Sequence, residues 1–454
     1  MSTALQFRPR MRHAMLASVI ILATGLRSFA QATPAPSPNP SVSPNPLIDM
    51  LRSADQGTRV KAAREIGESG DRTAVPALAE ALSDPSEKVR REVVIALANI
   101  RTPDSLDALI AGTRDTDSNT RTLAIRGVAG YYTGEVPGAG FTGFLKDTYG
   151  SAKNAFSPDN TRIDPGVRVD PKVLAALRAA LADTGSIQAS RQAAKALGAL
   201  LLRPSVPDLV KSAHSSDVPL ARESLYALAK IKDLSAGPQL VDLLDSPNQD
   251  IQQDAAETVG VLRTKQAVPR LQDLFRNGQG VNLRHAAIDG LAFIGDPVSS
   301  PILLQALWNG DKQERVSAAM GLGNAGDAKN MAEVEKALGS EKNGDVRLAL
   351  QYALAAMGQD RYVADLVESL RSNLRGDDAQ TYLIDLTENP RSLPKLYPYL
   401  SHRDATVRRR LCTVLIYTGD SSSLGPLQAL AHDRNNDVAV QALRAARAIR
   451  ARTG

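Results

Sequence analysis

The sequence predicts an all-α protein, a solenoid or superhelix of about twelve stacked helix pairs. Three observations lead there. A proline-led amphipathic segment recurs along the chain, with neighbouring prolines 30, 31, 31 and 32 residues apart (Pro46 to Pro76, then Pro207, Pro238, Pro269 and Pro301). Each is followed by a polar turn and a second apolar segment rich in alanine and glycine. Of the 454 residues, 43% are hydrophobic but only 4% are aromatic, so alanine and leucine must fill the core. That composition suits thin layers of close-packed helices better than sheets.

The first residues lie outside this pattern. Arg8, Arg10 and Arg12 precede an apolar run of about 13 residues, Ala14 to Leu26, and Ala30-Gln31-Ala32 places small residues at an A-x-A site. Residues 1–32 thus read as a secretory signal peptide cleaved after Ala32. The run falls short of the ~20 residues of a spanning helix, although a retained N-terminal anchor is the alternative. Residues 33–46, TPAPSPNPSVSPNP, hold six prolines and form an extended linker. From residue 47 to 454 the repeat takes over.

In each pair proline stands in the first helical turn, where its missing N–H costs nothing. Apolar residues such as Val75, Leu78 and Leu82 make one stripe. The second helix follows an Asp or Asn suited to N-capping, as in 84–100, 311–327 and 343–358. Ala318, Ala319, Gly321 and Gly323 let neighbouring helices approach closely, and Gly295 or Gly326 supplies the closing turn. Pairs of this size cannot bury their apolar faces alone, so they must stack. The pairs at 360–387 and 391–418 are the least regular.

These second helices, best seen in Asp84 to Ile100, Asp311 to Asp327 and Asp345 to Gly358, resemble the short bacterial form of the HEAT repeat. Its pattern is D-x-x-V-R-x-x-A-x-x-A-L-G-x-x-G-D, and the resemblance covers about nine tenths of the chain. It implies a binding scaffold with an extended concave surface and a protein partner. It also implies that the recurrent Asp and Arg near each turn (Asp84 with Arg90, Asp345 with Arg347) link neighbouring repeats.

Residue chemistry points the same way. His13, His214, His285, His402 and His432 lie at least 30 residues apart, so no two share a helix face toward one metal. None precedes a glutamate, as the di-iron site of deoxyhypusine hydroxylase, a similar architecture, would require. Bilin lyases share the repeat but work in the cytoplasm, which the export signal disfavours. No phosphate-binding loop or nucleophile elbow occurs. Cys412, the one cysteine, sits among Leu411, Val414 and Leu415 as a small hydrophobe. The expectation is a non-enzyme without metal or cofactor.

Two segments depart from the repeat. Residues 131–170 insert about 40 residues that carry Tyr131, Tyr132, Phe141, Phe144, Tyr149 and Phe156, six of the eighteen aromatics. Insertions in solenoids gather on one face, often the binding face, and aromatics anchor interfaces. The insertion either packs back on the stack or contacts a partner. The C-terminal end, residues 401–454, has nine bases against four acids, with Arg408, Arg409, Arg410, Arg444, Arg447 and Arg450 as its cluster. A terminal repeat needs a polar outer face, and a basic one also suits an acidic protein, an envelope polysaccharide or nucleic acid. The formal +5 of the whole chain, however, contains four arginines of the leader. The expected function is therefore an exported, periplasmic or secreted protein-binding scaffold, with nucleic acid an unlikely partner.

Overall fold

Helix pairs make up the described residues between Pro46 and Thr453 in a computed structural model that describes residues 45–134, 163 and 167–453, and no strand occurs among them. The expected leader and most of the linker lie outside the described residues. First helices include Pro46–Met50, Val75–Ala81, Pro103–Gly112, Pro171–Leu181, Val206–Ala213, Val268–Asn277 and Ser300–Asn309, each with proline in its first two positions. Pro238 behaves differently. It sits inside a 3-10 helix, Leu234–Asp245, because its ring and missing N–H oppose α-helical bonding within an element.

The second helices run Gln56–Ser69, Glu87–Ile100, Ser118–Thr133, Ile187–Ala199, Val218–Ile231, Gln249–Val261, Val281–Ile294, Lys312–Ala325, Gly344–Ala356, Gly376–Thr387, Ala405–Thr418 and Asn436–Thr453. Asp55, Asp117, Asp217, Asn248, Asp311 and Asn343 cap them by accepting from backbone N–H groups of the first turn.

In several pairs an arginine one turn into the second helix ties the pair to the next. Arg90 Nη1 donates to the Asp84 carbonyl of its own turn at 2.8 Å, while Nε and Nη2 grip both oxygens of Asp115 at 2.7 and 2.9 Å. Arg59 makes the same clamp on Asp84, at 2.6 and 3.0 Å, and Arg408 on Asp433, at 2.7 and 2.8 Å. Each gripped aspartate also accepts from the backbone N–H two residues on, at Ser86, Asp117 and Asn435. The Arg408 hydrogen bonds hold the Asp433 carboxyl below its ordinary range.

The clamp also spans the insertion. Arg121 donates to the Asp115 carbonyl at 2.7 Å and meets Asp183 at 3.1 Å, and Ser118 and Ser186 share a 2.5 Å hydrogen bond. Helix Ser118–Thr133 therefore packs on Ile187–Ala199 as though nothing intervened.

Small residues set the spacing between second helices. A Cβ on Gly260 would stand 2.5 Å from the Gly290 Cα, and one on Gly67 would stand 2.7 Å from that of Ala96. Gly and Ala oppose one another in several tight seams, as at Gly198 with Ala227 and Gly323 with Ala353. In the last described helix the same position is Arg447, which is exposed. Leu443 there is 53% exposed, although its equivalents Val94, Ile125, Leu225, Ile288, Leu383 and Cys412 are all wholly buried. Among the described residues no further pair covers this face of Asn436–Thr453.

Arg90 and Asp115 are nearly buried, at 11% and 5% side-chain exposure, so truncation leaves a desolvated carboxylate. Arg90→Ala should destabilise the full chain by about 2–3 kcal/mol in urea unfolding. Arg52→Ala, which breaks a pair exposed by 66% and 71%, should change it by less than ~0.5 kcal/mol.

Candidate binding surface

Second helices pack directly on second helices, whereas first helices scarcely meet one another. The second-helix layer is thus the shorter side of the stack, and the stack curves toward it. The curvature brings Arg263 and Glu388, 125 residues apart, into an ion pair. Arg263 (φ 49°) and Lys232 (φ 54°) stand in left-handed positions at the C-terminal ends of second helices, where other pairs place Gly295, Gly326 and Gly358. A cation there complements the helix dipole, and the left-handed turn aims it past the helix end.

At this place one seam between second helices is loose. Gly344–Ala356 packs tightly on Lys312–Ala325 but much less on Gly376–Thr387. Asp385 occupies the position held by Ala96, Ala227, Gly290, Gly321 and Ala353 in other pairs, and by Thr258 and Val414 in two more.

Around Asp385 the inner surface gathers aromatic and acidic groups. Tyr352 and Tyr382 stack with centroids 4.9 Å apart and planes 17° from parallel, at 2% and 7% exposure. Tyr352 donates to the Asn324 side-chain oxygen, and Asn324 Nδ2 donates to the Ala292 carbonyl at 2.9 Å. The Tyr382 hydroxyl and the half-buried Asp385 carboxylate make no hydrogen bond among the described residues. Burial, and to a lesser degree Glu388, pushes the Asp385 carboxyl up to about 6, against the opposing pull of Lys232 and Arg263. Burial also raises Tyr382, helped by Asp378, Asp385, Asp289 and Asp345. Beyond Glu388 a recess of about 420 Å³ is lined by Thr387, Leu393, Tyr417 and Asp420.

The residues singled out in the sequence fall elsewhere. Tyr131 and Tyr132 lie at the end of Ser118–Thr133, half-buried and edge-on with centroids 5.0 Å apart. The Tyr132 hydroxyl accepts from the Asp170 N–H at 3.1 Å, so it fastens the returning end of the insertion to the helix it left. Phe141, Phe144, Tyr149 and Phe156 lie outside the described residues.

The six C-terminal arginines do not act alike. Arg408 is spent on its clamp, and Arg410 pairs with Asp377 of the preceding pair. Arg409, Arg444, Arg447 and Arg450 are exposed. Two of the six are thus structural links, because consecutive positions on a helix face different neighbours. Cys412 is wholly buried, and that burial pushes its thiol up to about 12.

One group that the sequence did not suggest comes from adjacent pairs: His285, Asp311 and Glu314 bring ligand atoms within 4.8 Å of one another. Protein donors already engage their oxygens. Asp311 caps its helix by accepting from the Glu314 N–H at 2.9 Å and meets His285 at 2.7 Å, while Glu314 accepts from the Asp311 N–H and from Arg284 Nη2 at 2.6 Å. His285 also takes the place from which Arg91 and Arg191 reach Asp117 and Asp217, the caps of their next helices. The group is one more rung between pairs.

Asp385 carries a pH dependence with a definite sign. Its folded pKa lies above the ordinary 3.8. Its ionisation therefore costs stability as pH rises from about 4 through 6, and below 4 the cost is absent. Asp385→Ala should be more stable than the natural chain by about 1–2 kcal/mol at pH 7, after allowance for partial exposure, with the gap closing below pH 4 in urea titrations.

Comparison with known proteins bears on the repeat itself. A family profile describing HEAT repeats matches residues 44–129 and 237–319. Phycocyanobilin lyase subunit alpha of Picosynechococcus sp. is 27% identical over 180 residues, which span 39% of this chain and 59% of that one. This chain therefore spans about three fifths of that relative's length. Deoxyhypusine hydroxylase of Aspergillus clavatus is 25% identical over 293 residues, 61% of this chain and 81% of that one. Among solved structures, Escherichia coli YibA has a TM-score of 0.42 at 16% identity, covering 63% of this chain and 93% of its own. An engineered protein has a TM-score of 0.34 at 19% identity, covering 89% and 98%. Residues 44–129 and 237–319 of this chain are HEAT repeats, and the described helix pairs beyond them make an α-solenoid of the same plan.

Proposed function

We propose that the protein is a non-catalytic, protein-binding scaffold of the cell envelope or periplasm, working through the inner, second-helix surface of its solenoid and through the aromatic insertion. The observation that carries the reading is the inner surface itself. It runs through successive pairs, is held in shape by clamps that face the turns, and leaves side chains such as Tyr226, Met320 and Asp385 partly exposed along it. A rigid, extended and chemically varied surface of this kind suits another polypeptide better than a small substrate.

Two further facts support the reading. No described helix is long and apolar enough to cross a membrane. The argument for export is the sequence pattern of Arg8, Arg10 and Arg12, an apolar run and Ala30-Gln31-Ala32, which reads as a signal peptide. Both curated relatives carry enzyme names, but their similarity lies in a repeat whose rows of Arg, Asp, Gly and Ala serve stacking in this chain. Binding of an anionic polymer by the basic end is the weaker reading, since Arg408 and Arg410 are already paired.

Tagged full-length protein should fractionate with the periplasm or envelope and recover a specific protein on affinity isolation. Met320→Glu, on the inner surface, should reduce that recovery at least ~10-fold, about 1.4 kcal/mol, with helicity by circular dichroism unchanged. A cytoplasmic location would remove the envelope assignment. Failure to recover any specific protein would remove the scaffold.

A further inference from the structure

We propose that the curl of the stack between residues 263 and 388 is held shut by an electrostatic latch, Arg263 on Glu388, and opens about the loose seam between Gly344–Ala356 and Gly376–Thr387. Salt or a competing charge then controls access to the inner surface in between. The latch stands on geometry, while its effect on a partner rests on the scaffold reading.

The two ends of the latch are 125 residues apart and come from pairs that do not stack on one another. Arg263 follows Gln249–Val261 and Glu388 follows Gly376–Thr387, so each stands just past the C-terminal end of an inner-layer helix. These helices scarcely meet, and side chains make the connection. Arg263 and Glu388 are 57% and 36% exposed. An ion pair so open to water is weak and is screened by salt. Lys232, in the matching left-handed position one pair earlier, also attracts Asp385 of the same far helix. Closure therefore depends on charge, with little apolar packing behind it.

A hinge lies beside the latch. Among the described residues Gly376–Thr387 packs more loosely on its second-helix neighbours, Gly344–Ala356 and Ala405–Thr418, than any other second helix does. At its N-terminal end it is nevertheless tied: Arg375 Nε donates to Asp345 at 2.9 Å, and Arg410 of the next pair reaches Asp377. Arg347, at the clamp position of the preceding pair, donates to the Leu338 and Glu341 carbonyls of its own pair. The turn edge is thus a spine, and the latch joins the opposite ends of the helices. Rotation about such a spine needs only small shifts in a seam that is already loose.

Closure hides part of the inner surface. Tyr352 is 2% exposed, whereas Ile95, Tyr226, Asp289, Met320 and Ile384, which take its place in other pairs, are all partly exposed. Tyr382 covers it from across the loose seam, with ring centroids 4.9 Å apart. Opening the seam parts this stack and bares two tyrosine rings, a residue type that anchors protein interfaces. The latch and the hidden rings belong to one movement.

The test is a distance measurement across the curl in the full chain. Spin labels on Gln266→Cys and Arg391→Cys, both exposed positions, report it by pulsed electron paramagnetic resonance, and Cys412 is wholly buried. At about 50 mM salt one short distance should dominate, and about 0.5 M salt should shift the population to longer distances. Arg263→Glu should show the longer distances already at low salt, with helicity and the urea midpoint unchanged. Arg263→Glu combined with Glu388→Arg should restore the short distance, which a merely damaged fold would not do. The same distances in Arg263→Glu as in the natural chain at low salt, or no restoration by the charge swap, would overturn the latch. In affinity isolation Arg263→Glu should recover at least 3-fold more partner than the natural chain. Equal recovery removes the control of access. Recovery of nothing by either removes the scaffold, and the latch is then judged by the distances.

Discussion

Everything in this fold depends on holding one helix pair against the next, because no pair has enough apolar surface to be stable alone. Two devices share that task. Arginines such as Arg59, Arg90, Arg121 and Arg408 bind the carbonyls of their own turn and the aspartate of the following turn. One side chain thereby fixes the distance and the rotation between pairs. Gly and Ala at facing positions then let second helices approach until backbone meets backbone, as at Gly260 and Gly290. The clamp sits at the turns and the small residues along the seam, so register is set at one end of the helix and spacing along its length.

Places where these devices lapse are therefore informative. At the C-terminal end the clamp position is Ala439 and the close-approach position is Arg447. Between Gly344–Ala356 and Gly376–Thr387 the seam is looser, and Tyr382 and Asp385 make no hydrogen bond among the described residues. The second lies inside the fold, around Gly376–Thr387.

Much of the fold was legible in the sequence because its determinants are local and repeated. Proline at helix starts, Asp or Asn caps, and the spacing of alanines each report a nearest-neighbour requirement, and repetition averages out exceptions. The irregularity of 360–387 was visible too, but its meaning was not. Asp385 looks like any exposed acid on an amphipathic helix until the helices on either side are in place. The aromatic cluster drew attention by composition, yet Tyr131 and Tyr132 pack and fasten the stack. The C-terminal arginines read as one patch because they are close in sequence, while Arg408 and Arg410 turn to different neighbours.

By itself the sequence determined the class of architecture and some of the residues that link neighbouring pairs, such as Asp84, Arg90 and Asp345, since these depend on contacts within about one repeat. Arg347, by contrast, turns to the Leu338 and Glu341 carbonyls of its own pair. Tertiary structure alone decided what meets across many repeats. Curvature accumulates from small rotations between pairs, and only their sum brings Arg263 to Glu388 and sets Lys232 near Asp385. No local pattern encodes that sum, so the site it creates emerges only when the whole stack is built.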